Sequence, residues 1–520
     1  MRNVWLVPIA AIAIGLAGDA SRAQGRAFDL TTASIDDIQA AVAAGALTYE
    51  RLVGLYLARI EAYDKNGPRL NAVLAINPRA LDTARALDEE RRTKGLRSPL
   101  HGIPIAVKDN IDVRDLPSTG GSLAFAGTSP ARDATVITRL RDAGAIILMK
   151  TNMDELALGA QGLSSFGGQI LNPYDLRRNP GGSSGGTGVA VNVAFAAAGL
   201  ATETGVSIRS PAANNALAAI APTQGLVSRA GVIPISFTQD RVGVHARSVA
   251  DAAVLLTYIR GFDPEDLATW DSLGRADGPS YQDAVGGTLA GLRIGVLRDL
   301  FRTGAEFDEG NRIIEQQIAF MRDRGATITE DLTTGLDLVA LMPRLRLNDF
   351  ELRFAFDAYL HRRGPSSPVQ SFAGLVASGK FLASLQARFA RVMTVESLDV
   401  DREYRARLER RRMIRQALID VMDRHSVDAL VYPMKSLPAP PIGTADAGPR
   451  DNAISAVTGL PAIVVPAGVG REGLPFAVEI LGRPFSEAAL IRFADAYERF
   501  SRRRVAPAEG PPLPGDRFSY

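Results

Sequence analysis

Cysteine is absent from the 520-residue sequence. Its absence excludes disulfide bonds, cysteine nucleophiles, thiolate zinc sites and iron–sulfur clusters. A chain without disulfides must be stabilised by its buried core. Hydrophobic residues make up 46% of the sequence, which is enough for a large core at this length. The composition is therefore that of a folded globular protein.

A strong excess of charge of either sign is also missing. Lysine and arginine number 59 and aspartate and glutamate 57, which leaves a formal charge of +2. Two local basic runs, residues 408–425 and 497–507, are not interleaved with the aromatic residues that a nucleic-acid groove would use. We interpret them as solvated faces of amphipathic helices, and we expect no nucleic-acid partner.

The N-terminus lacks a hydrophobic run long enough to span a membrane. Arg2 precedes apolar residues 4–16, and small residues then lead to the sequence SRA at positions 21–23. A transmembrane helix needs about 20 apolar residues, so this pattern is typical of a secretory signal peptide. We expect residues 1–23 to be removed and the mature chain to be periplasmic or secreted, without stable membrane insertion. An uncleaved anchor is the alternative.

Helical and strand-like apolar patterns alternate along the chain. Residues 34–64 carry two helical patterns separated by Gly45. Residues 102–113 are typical of a buried strand, and residues 135–152 of a helix, a glycine and a strand. No fixed-period repeat or proline-rich linker divides the chain, so we predict one large α/β domain. Residues 292–425 are more helical and more charged, and we interpret them as a peripheral segment that could cover a site.

Residues 179–225 consist almost wholly of Gly, Ala, Ser, Thr and Val. Such small side chains allow either a tightly packed core or a substrate that touches main chain. The stretch PGGSSGG places Ser183 and Ser184 in a turn before a helix predicted to begin near Gly188, where backbone N–H groups converge. A helix-capping turn is the structural alternative. A phosphate-binding loop is disfavoured because GxGxxG and an adjacent Lys-Ser or Lys-Thr pair are both missing.

Two further residues stand at positions that could serve chemistry. Lys108 ends the apolar stretch IPIAVK, where a cation is costly unless it is paired or deprotonated, and pairing with Asp109 is the structural alternative. Ser207 lies between a predicted strand and a predicted helix, where a nucleophile can project beside backbone N–H groups. The turn is not a GxSxG elbow, and a helix cap is the structural alternative. None of the four histidines lies in a motif that marks the base of a Ser-His-Asp triad.

Taken in order, the stretches PIAVKDN, PGGSSGG and TETGVSIRSPA, followed by PTQGLVSRAGVIPISFTQDRVGVHARSVADAA, resemble the amidase signature family of serine amidohydrolases. The resemblance extends from the first helices to LPAIVVPAG and ILGRPFSEAAL near the C-terminus, and it is closest to the exported peptide amidase branch. It implies that residues 24–520 form a single α/β/α amidase signature domain with a mixed central sheet covered by helices.

The resemblance also implies a Ser-Ser-Lys triad. Ser207 aligns with the family nucleophile, Ser183 with the bridging serine whose preceding peptide bond is cis, and Lys108 with the base. The residues agree physically, because a neutral, buried lysine could accept a proton relayed through one serine while the other attacks a carbonyl. The N–H group of Ser207 and those of the three residues before it would stabilise the oxyanion. The implied oxyanion-hole residues are Thr204, Gly205 and Val206, and the implied supporting residues are Gly181, Gly182, Ser184 and Arg209.

Position 206 departs from the family pattern. Most members carry an acidic residue followed by Thr-Gly-Gly-Ser, whereas this sequence has Val206 in place of the second glycine. A β-branched valine at positive φ would be strained and could distort the oxyanion hole, but at negative φ it would only stiffen the loop and wall the pocket. Because β-branched residues rarely adopt positive φ, we expect a negative φ.

The sequence therefore predicts an exported amidase that hydrolyses carboxamides, peptide amides or aryl amides through an acyl-enzyme, with no metal and no cofactor. The expected partner is a small-molecule or peptide amide, and the oligomeric state is left open. A glutamine-dependent tRNA amidotransferase A-type subunit is the alternative within the family, and export and the lack of a clear basic stretch argue against it. A catalytically silent binding protein on the same fold has Val206 as its only support and is opposed by Lys108, Ser183 and Ser207.

Overall fold

The chain folds around a large mixed sheet with helices packed against it. The computed structural model describes residue 1 and residues 26–275, 278–444 and 452–520. The predicted signal peptide, residues 1–23, lies outside the described residues apart from its first residue. Within the described ranges, no helix has the length and apolar composition needed to cross a membrane.

The strands of the described ranges form one sheet of eleven strands and two sheets of two strands. They are β1 (Ala27–Asp29), β2 (Val73–Ile76), β3 (Pro104–Lys108), β4 (Ile146–Thr151), β5 (Leu163–Ser164), β6 (Gly168–Gln169), β7 (Ala198–Glu203), β8 (Ala218–Ala221), β9 (Arg241–Ala246), β10 (Arg293–Leu297), β11 (Thr327–Leu332), β12 (Ala429–Pro433), β13 (Ala462–Val469), β14 (Pro475–Leu481) and β15 (Arg517–Ser519).

The α-helices of the described ranges begin where the sequence offers caps or small residues. Ser34, for example, accepts a hydrogen bond from the backbone N–H of Asp37 in the first turn of the first helix. The helices are α1 (Ile35–Ala43), α2 (Tyr49–Ile60), α3 (Ala80–Lys94), α4 (Thr135–Asp142), α5 (Gly185–Asn192), α6 (Arg209–Asn214), α7 (Val249–Ile259), α8 (Asp308–Asp323), α9 (Leu338–Leu341), α10 (Asn348–Arg363), α11 (Phe372–Ser378), α12 (Gln386–Met393), α13 (Arg402–Arg424), α14 (Ile454–Thr458) and α15 (Glu487–Ser501).

The order of the large sheet is β11-β10-β12-β14-β13-β8-β9-β7-β3-β4-β2. β3 is parallel to both β4 and β7, whereas β9 is antiparallel to β7. The carboxyl ends of parallel strands meet at one edge of a sheet, which is where ligand sites form. Since Val107 of β3 lies opposite Leu200 of β7, Lys108 and Glu203, which end these two strands, lie at the same edge.

The sequence explains why this part of the sheet is covered on both faces. Every residue of β3, β4 and β7 is buried, and β3 and β4 carry the continuous apolar runs that parallel strands covered on both faces need. Helix α5 packs against β3 and β7, and all of its residues are buried. Its Gly- and Val-rich sequence lets the backbone approach the strands closely, so the turn before α5 is held directly over the strand ends.

Two boundaries differ from the sequence predictions. The helix predicted to begin near Gly188 begins at Gly185, because the glycines of the PGGSSGG turn already form its first turn. Residues 292–425 are also not wholly peripheral, since β10 and β11 add two parallel strands to one edge of the large sheet. The remaining helices of that segment lie outside the sheet.

Candidate active site

Lys108 ends β3 with its side chain fully buried. Its Nζ donates hydrogen bonds to Ser183 Oγ at 2.8 Å and to Thr202 Oγ1 at 2.8 Å, and it lies 3.2 Å from the Thr202 carbonyl oxygen. Thr202 belongs to the neighbouring strand β7. The ammonium or amine group is therefore fixed between β7 and the turn that carries Ser183.

Burial weakens the positive charge on Lys108. Desolvation lowers the pKa of Lys108 to about 7, although three buried carboxylates nearby act in the opposite direction. The alternative pairing with Asp109 is wrong, because Asp109 Oδ1 lies 3.3 Å from the Nζ of a different buried lysine, Lys150. A substantial fraction of Lys108 is therefore neutral at neutral pH, as a general base requires.

Ser183 lies in a turn that is packed from two sides. The peptide bond between Gly182 and Ser183 is cis, as the family resemblance implies. A Cβ atom at Gly182 would lie 1.9 Å from Asp154 Oδ2, and one at Gly181, whose φ is +77°, would lie 2.9 Å from the Pro211 backbone nitrogen. Only glycine fits at these two positions. The turn is thereby pressed against α6, the helix that follows Ser207.

The serines of this turn do not act as helix caps. Ser184 is the N-cap residue of α5, but its side chain makes no capping hydrogen bond and its Oγ donates to the Thr202 carbonyl at 3.2 Å. Ser183 Oγ accepts from Lys108 instead. The purely structural interpretation of PGGSSGG as a capping turn is therefore wrong.

Ser207 lies in the turn between β7 and α6 and is 7% exposed. Within the described parts of the chain its hydroxyl makes no hydrogen bond, and Ile208 rather than Ser207 is the N-cap residue of α6. No described histidine bonds to it; His245 instead has its Nε2 2.7 Å from the carbonyl oxygen of Ile208. The helix-cap alternative for Ser207 is wrong, because its hydroxyl makes no capping hydrogen bond to α6.

The backbone before Ser207 presents a row of N–H groups. The carbonyl oxygens of Thr204, Gly205 and Val206 accept hydrogen bonds from Gln239 Nε2 at 3.0 Å, Arg209 Nη2 at 2.7 Å and the Ser210 N–H at 2.7 Å, respectively. In a trans peptide the N–H points away from the carbonyl, so the N–H groups that follow these carbonyls face the other way.

These N–H groups are free. Among the described residues, none accepts a hydrogen bond from the backbone N–H of residues 204–207. Consecutive free N–H groups beside a serine hydroxyl can hold a developing oxyanion.

Arg209 holds this backbone segment from behind. Its fully buried guanidinium bonds both oxygens of Glu203 at 3.1 Å and both oxygens of Glu479 at 2.7 and 2.8 Å, in addition to the Gly205 carbonyl. Burial by itself lowers the pKa of Arg209, but the two carboxylates outweigh it and raise that pKa. Glu203 Oε1 also accepts the N–H of Ile208 at 3.1 Å. Arg209, which was predicted to support the site, therefore belongs to a buried ion-pair network with Glu203 and Glu479.

Val206 does not strain the turn. Its φ is not positive. Val206 therefore does not have the strained backbone that could distort the oxyanion hole. Its half-buried side chain packs against two apolar clusters, which include Ile208 and Leu300. The valine stiffens the turn by packing.

Replacing this valine tests that conclusion. We expect Val206→Gly to change kcat by less than about threefold, because the φ of valine is already unstrained. The variant should lose about 2 kcal/mol of unfolding free energy, since it removes packed methyl groups and adds backbone freedom. Steady-state kinetics and thermal unfolding measure both effects. A large rise in kcat would show that the valine obstructs the hole.

Several contacts of the site were not predicted from the sequence. Thr202, which accepts from Lys108, and Gln239 and Asp240, which hold Thr204 by its carbonyl and its hydroxyl, were not singled out. Thr202 could have been found from its place in β7 beside Lys108. Gln239 and Asp240 lie more than 30 residues from Thr204, and no spacing rule connects them.

Metal chemistry has no evident ligand set in the described ranges. No group of three or more His, Asp or Glu side chains there is arranged to hold a metal ion.

Comparisons with known proteins show which proteins this chain resembles in sequence and in fold. The Amidase family model matches residues 51–491. The A-type subunit of glutamyl-tRNA(Gln) amidotransferase from Chloroflexus aurantiacus is 37% identical over 89% of this chain and 95% of its own length. A probable amidase of Arabidopsis thaliana is 34% identical, with 92% of each chain covered. The structure of native peptide amidase from Stenotrophomonas maltophilia matches with a TM-score of 0.83 and 36% identity, covering 92% of this chain and 99% of that one.

The chain belongs to the amidase signature family. Its mixed sheet of eleven strands flanked by helices is the fold that the sequence resemblance implied, and that prediction is confirmed. Membership in the family makes the protein an enzyme of amide carbon–nitrogen bond cleavage.

Proposed function

We propose that this protein is an exported amidase that hydrolyses linear amides through a Ser-Ser-Lys triad. The observation that carries the proposal is the 2.8 Å hydrogen bond from the buried Lys108 Nζ to Ser183 Oγ, made with no carboxylate of the described residues within 4 Å of that Nζ. Burial lowers the pKa of this lysine to about 7. A buried lysine without a carboxylate partner lowers the stability of the fold, but its neutral amine can act as a base.

The proposed reaction has two steps. Ser207 Oγ attacks the amide carbonyl carbon while its proton passes to Ser183 Oγ and the Ser183 proton passes to neutral Lys108. The tetrahedral oxyanion is held by the N–H groups of residues 204–207. The carbon–nitrogen bond then breaks, and the departing amine receives a proton from Lys108 through Ser183. Water attacks the resulting ester by the same relay, which releases the acid and restores Ser207.

The pH profile follows from the neutral base. Because Lys108 must be unprotonated to act, kcat/KM should fall about tenfold per pH unit below a midpoint near 7 and level off above it. The neighbouring carboxyls Asp154 and Asp240 have pKa values that burial raises to about 6, and burial lowers the pKa of His245 to about 4. At the midpoint those carboxyls are largely ionised and the imidazole is neutral. A midpoint near 10, the ordinary lysine value, would contradict the assignment of the base.

A second candidate function is that of an amidotransferase subunit of the A type. The relative from Chloroflexus aurantiacus is 37% identical and the peptide amidase 36%, so identity does not separate the two. Such a protein would work with partner chains and draw its amide from glutamine. We favour the amidase because we expect the N-terminus to direct export, whereas tRNA amidation needs the cytosol. N-terminal sequencing of the exported chain should begin at Gln24, and an intact residue 1 would contradict cleavage.

One experiment separates these functions. The mature chain and its Ser207→Ala variant are incubated with aliphatic, aryl and peptide amides and with free glutamine, and released amine or ammonia is followed by mass spectrometry. We expect release from one or more of the linear amides by the parent only. Release from glutamine alone would favour the amidotransferase function. Silence from the folded parent on every amide would favour a binding protein.

A further inference from the structure

Gln239 forms a bridge between the candidate oxyanion hole and the helical segment outside the sheet. Its side chain is 1% exposed, its Nε2 donates to the Thr204 carbonyl at 3.0 Å, and its Oε1 accepts the backbone N–H of Leu347 at 2.6 Å. Leu347 is the residue before α10. Both polar atoms of this buried amide therefore make a hydrogen bond, one to the turn before Ser207 and one to the start of α10.

The chemistry of the two ends fixes which way the amide points. A backbone N–H only donates, so the atom that faces Leu347 must be the amide oxygen. The amino group must then face Thr204, whose carbonyl oxygen only accepts. A flipped amide would place two acceptors together at one end and two donors at the other. The Gln239 side chain is thus held in one orientation by its partners.

The carbonyl that Gln239 holds is part of the peptide unit that carries the Gly205 N–H. Because the C=O and N–H of a trans peptide are antiparallel, a hydrogen bond to the carbonyl also sets the direction of the N–H. Among the described residues, no other group donates to the Thr204 carbonyl. Arg209 and the Ser210 N–H hold the next two carbonyls. Without Gln239, the first of the three peptide units would lose its restraint.

The loop that carries Gln239 is itself firmly anchored. Glu351 of α10 accepts hydrogen bonds from the hydroxyls of Ser236 and Thr238, from the Thr238 N–H at 3.0 Å and from the Tyr404 hydroxyl at 2.7 Å. Asp240 Oδ1 accepts the Thr204 hydroxyl at 2.6 Å. Gln239 therefore acts from a rigid platform on α10 and α13, which a positioning residue requires.

We propose that Gln239 is a positioning residue that aims the Gly205 N–H at the oxyanion of the reaction. The inference rests on the proposed function, since it concerns the same oxyanion hole. A residue with this role stabilises charge that develops only in the transition state, so its loss should lower kcat and leave KM nearly unchanged.

The test is Gln239→Met, which keeps the length of the side chain and removes both hydrogen bonds. We expect kcat on the best amide of the panel to fall 10- to 100-fold with KM within twofold. That loss is smaller than the 10²- to 10³-fold loss from deleting an oxyanion donor, because the N–H itself remains. The inhibition constant of phenylboronic acid, whose tetrahedral Ser207 adduct places an oxygen in the hole, should rise by the same factor as kcat falls.

The matched control is Gln317→Met. Gln317 is also 1% exposed, and its amide bonds the Ile313 carbonyl and the Tyr497 hydroxyl, away from the site. This variant should keep kcat within twofold. If Gln239→Met does not fold, Gln239→Asn serves instead, because its amide is one methylene too short to reach both partners, and the same fall in kcat is expected.

Failure of the role of Gln239 and failure of the proposed function give different results. A kcat within twofold of the parent, an equal loss in the Gln317 variant, a loss confined to KM, or an unchanged phenylboronic acid constant would each overturn the role of Gln239. Activity that survives Ser207→Ala would instead overturn the proposed function itself. The two failures are therefore distinguishable in one set of purified proteins.

Discussion

Ser207→Ala should reduce amide turnover by at least about 10⁴-fold, with KM of any residual activity little changed. The substitution removes the hydroxyl that we propose as the nucleophile, while the N–H row and the Lys108 to Ser183 hydrogen bond remain. Steady-state kinetics measure the loss, and circular dichroism verifies the fold. Nothing in the structure predicts a loss of stability, because the Ser207 hydroxyl bonds to no described residue and the side chain is still 7% exposed.

Ser272→Ala is the matched control for this loss. Ser272 is also buried, and its Oγ donates to the Thr269 carbonyl at 2.7 Å in a turn that contributes nothing to the site. It should keep full turnover despite a small loss of stability. Turnover by Ser207→Ala at more than a few per cent of the parent rate would show that another group is the nucleophile.

Lys108→Met should lower kcat by about 10³-fold or more, because general base catalysis of the serine attack is lost. Methionine has similar length and no charge, so the buried site is filled without a new desolvation cost. Lys108→Arg should not restore activity, since a guanidinium stays protonated at every working pH. The rising limb of the pH profile near 7 should also disappear from any residual activity of the methionine variant.

Lys150 supplies the matched control for the lysine. It is equally buried, lies on the adjacent strand β4, and bonds the Ile111 carbonyl at 2.7 Å, the Ser118 hydroxyl at 2.7 Å and Asp109. Lys150→Met should lower the melting temperature, because it leaves the Asp109 carboxylate buried and unpaired. Its kcat per folded molecule should stay within about threefold of the parent. An equal loss of kcat in Lys108→Met and Lys150→Met would mean that the loss comes from replacing a buried lysine and not from removing a base.

The sequence predicts the frame of the fold well where strands are buried on both faces. β3 and β4 have continuous apolar runs, and the two helices on either side of Gly45 are α1 and α2. The place of β10 inside the sheet was not predicted, because β10 and β12 lie far apart in the chain and pair only in three dimensions. Periodicity reports burial and secondary structure, not strand order.

The site likewise contains residues that a sequence motif marks and residues that only the tertiary structure reveals. Lys108, Ser183 and Ser207 were predicted from motifs, and the structure brings Lys108 and Ser183 into hydrogen-bond contact. Gln239 has an ordinary amide in a loop, so nothing local marks it, and only the tertiary contact with Thr204 gives it a role. Residues that hold backbone carbonyls leave no sequence pattern, because any donor at the right place in space can do so.

If Ser207 is the nucleophile, it forms an acyl-enzyme, and that intermediate can be trapped. The purified protein is mixed with a p-nitrophenyl ester, quenched in acid within the first turnovers and digested for peptide mass spectrometry. We predict one acyl group per chain, on Ser207, and none on the Ser207→Ala variant. Acylation at another residue, or a burst of p-nitrophenol from the alanine variant, would contradict this role of Ser207.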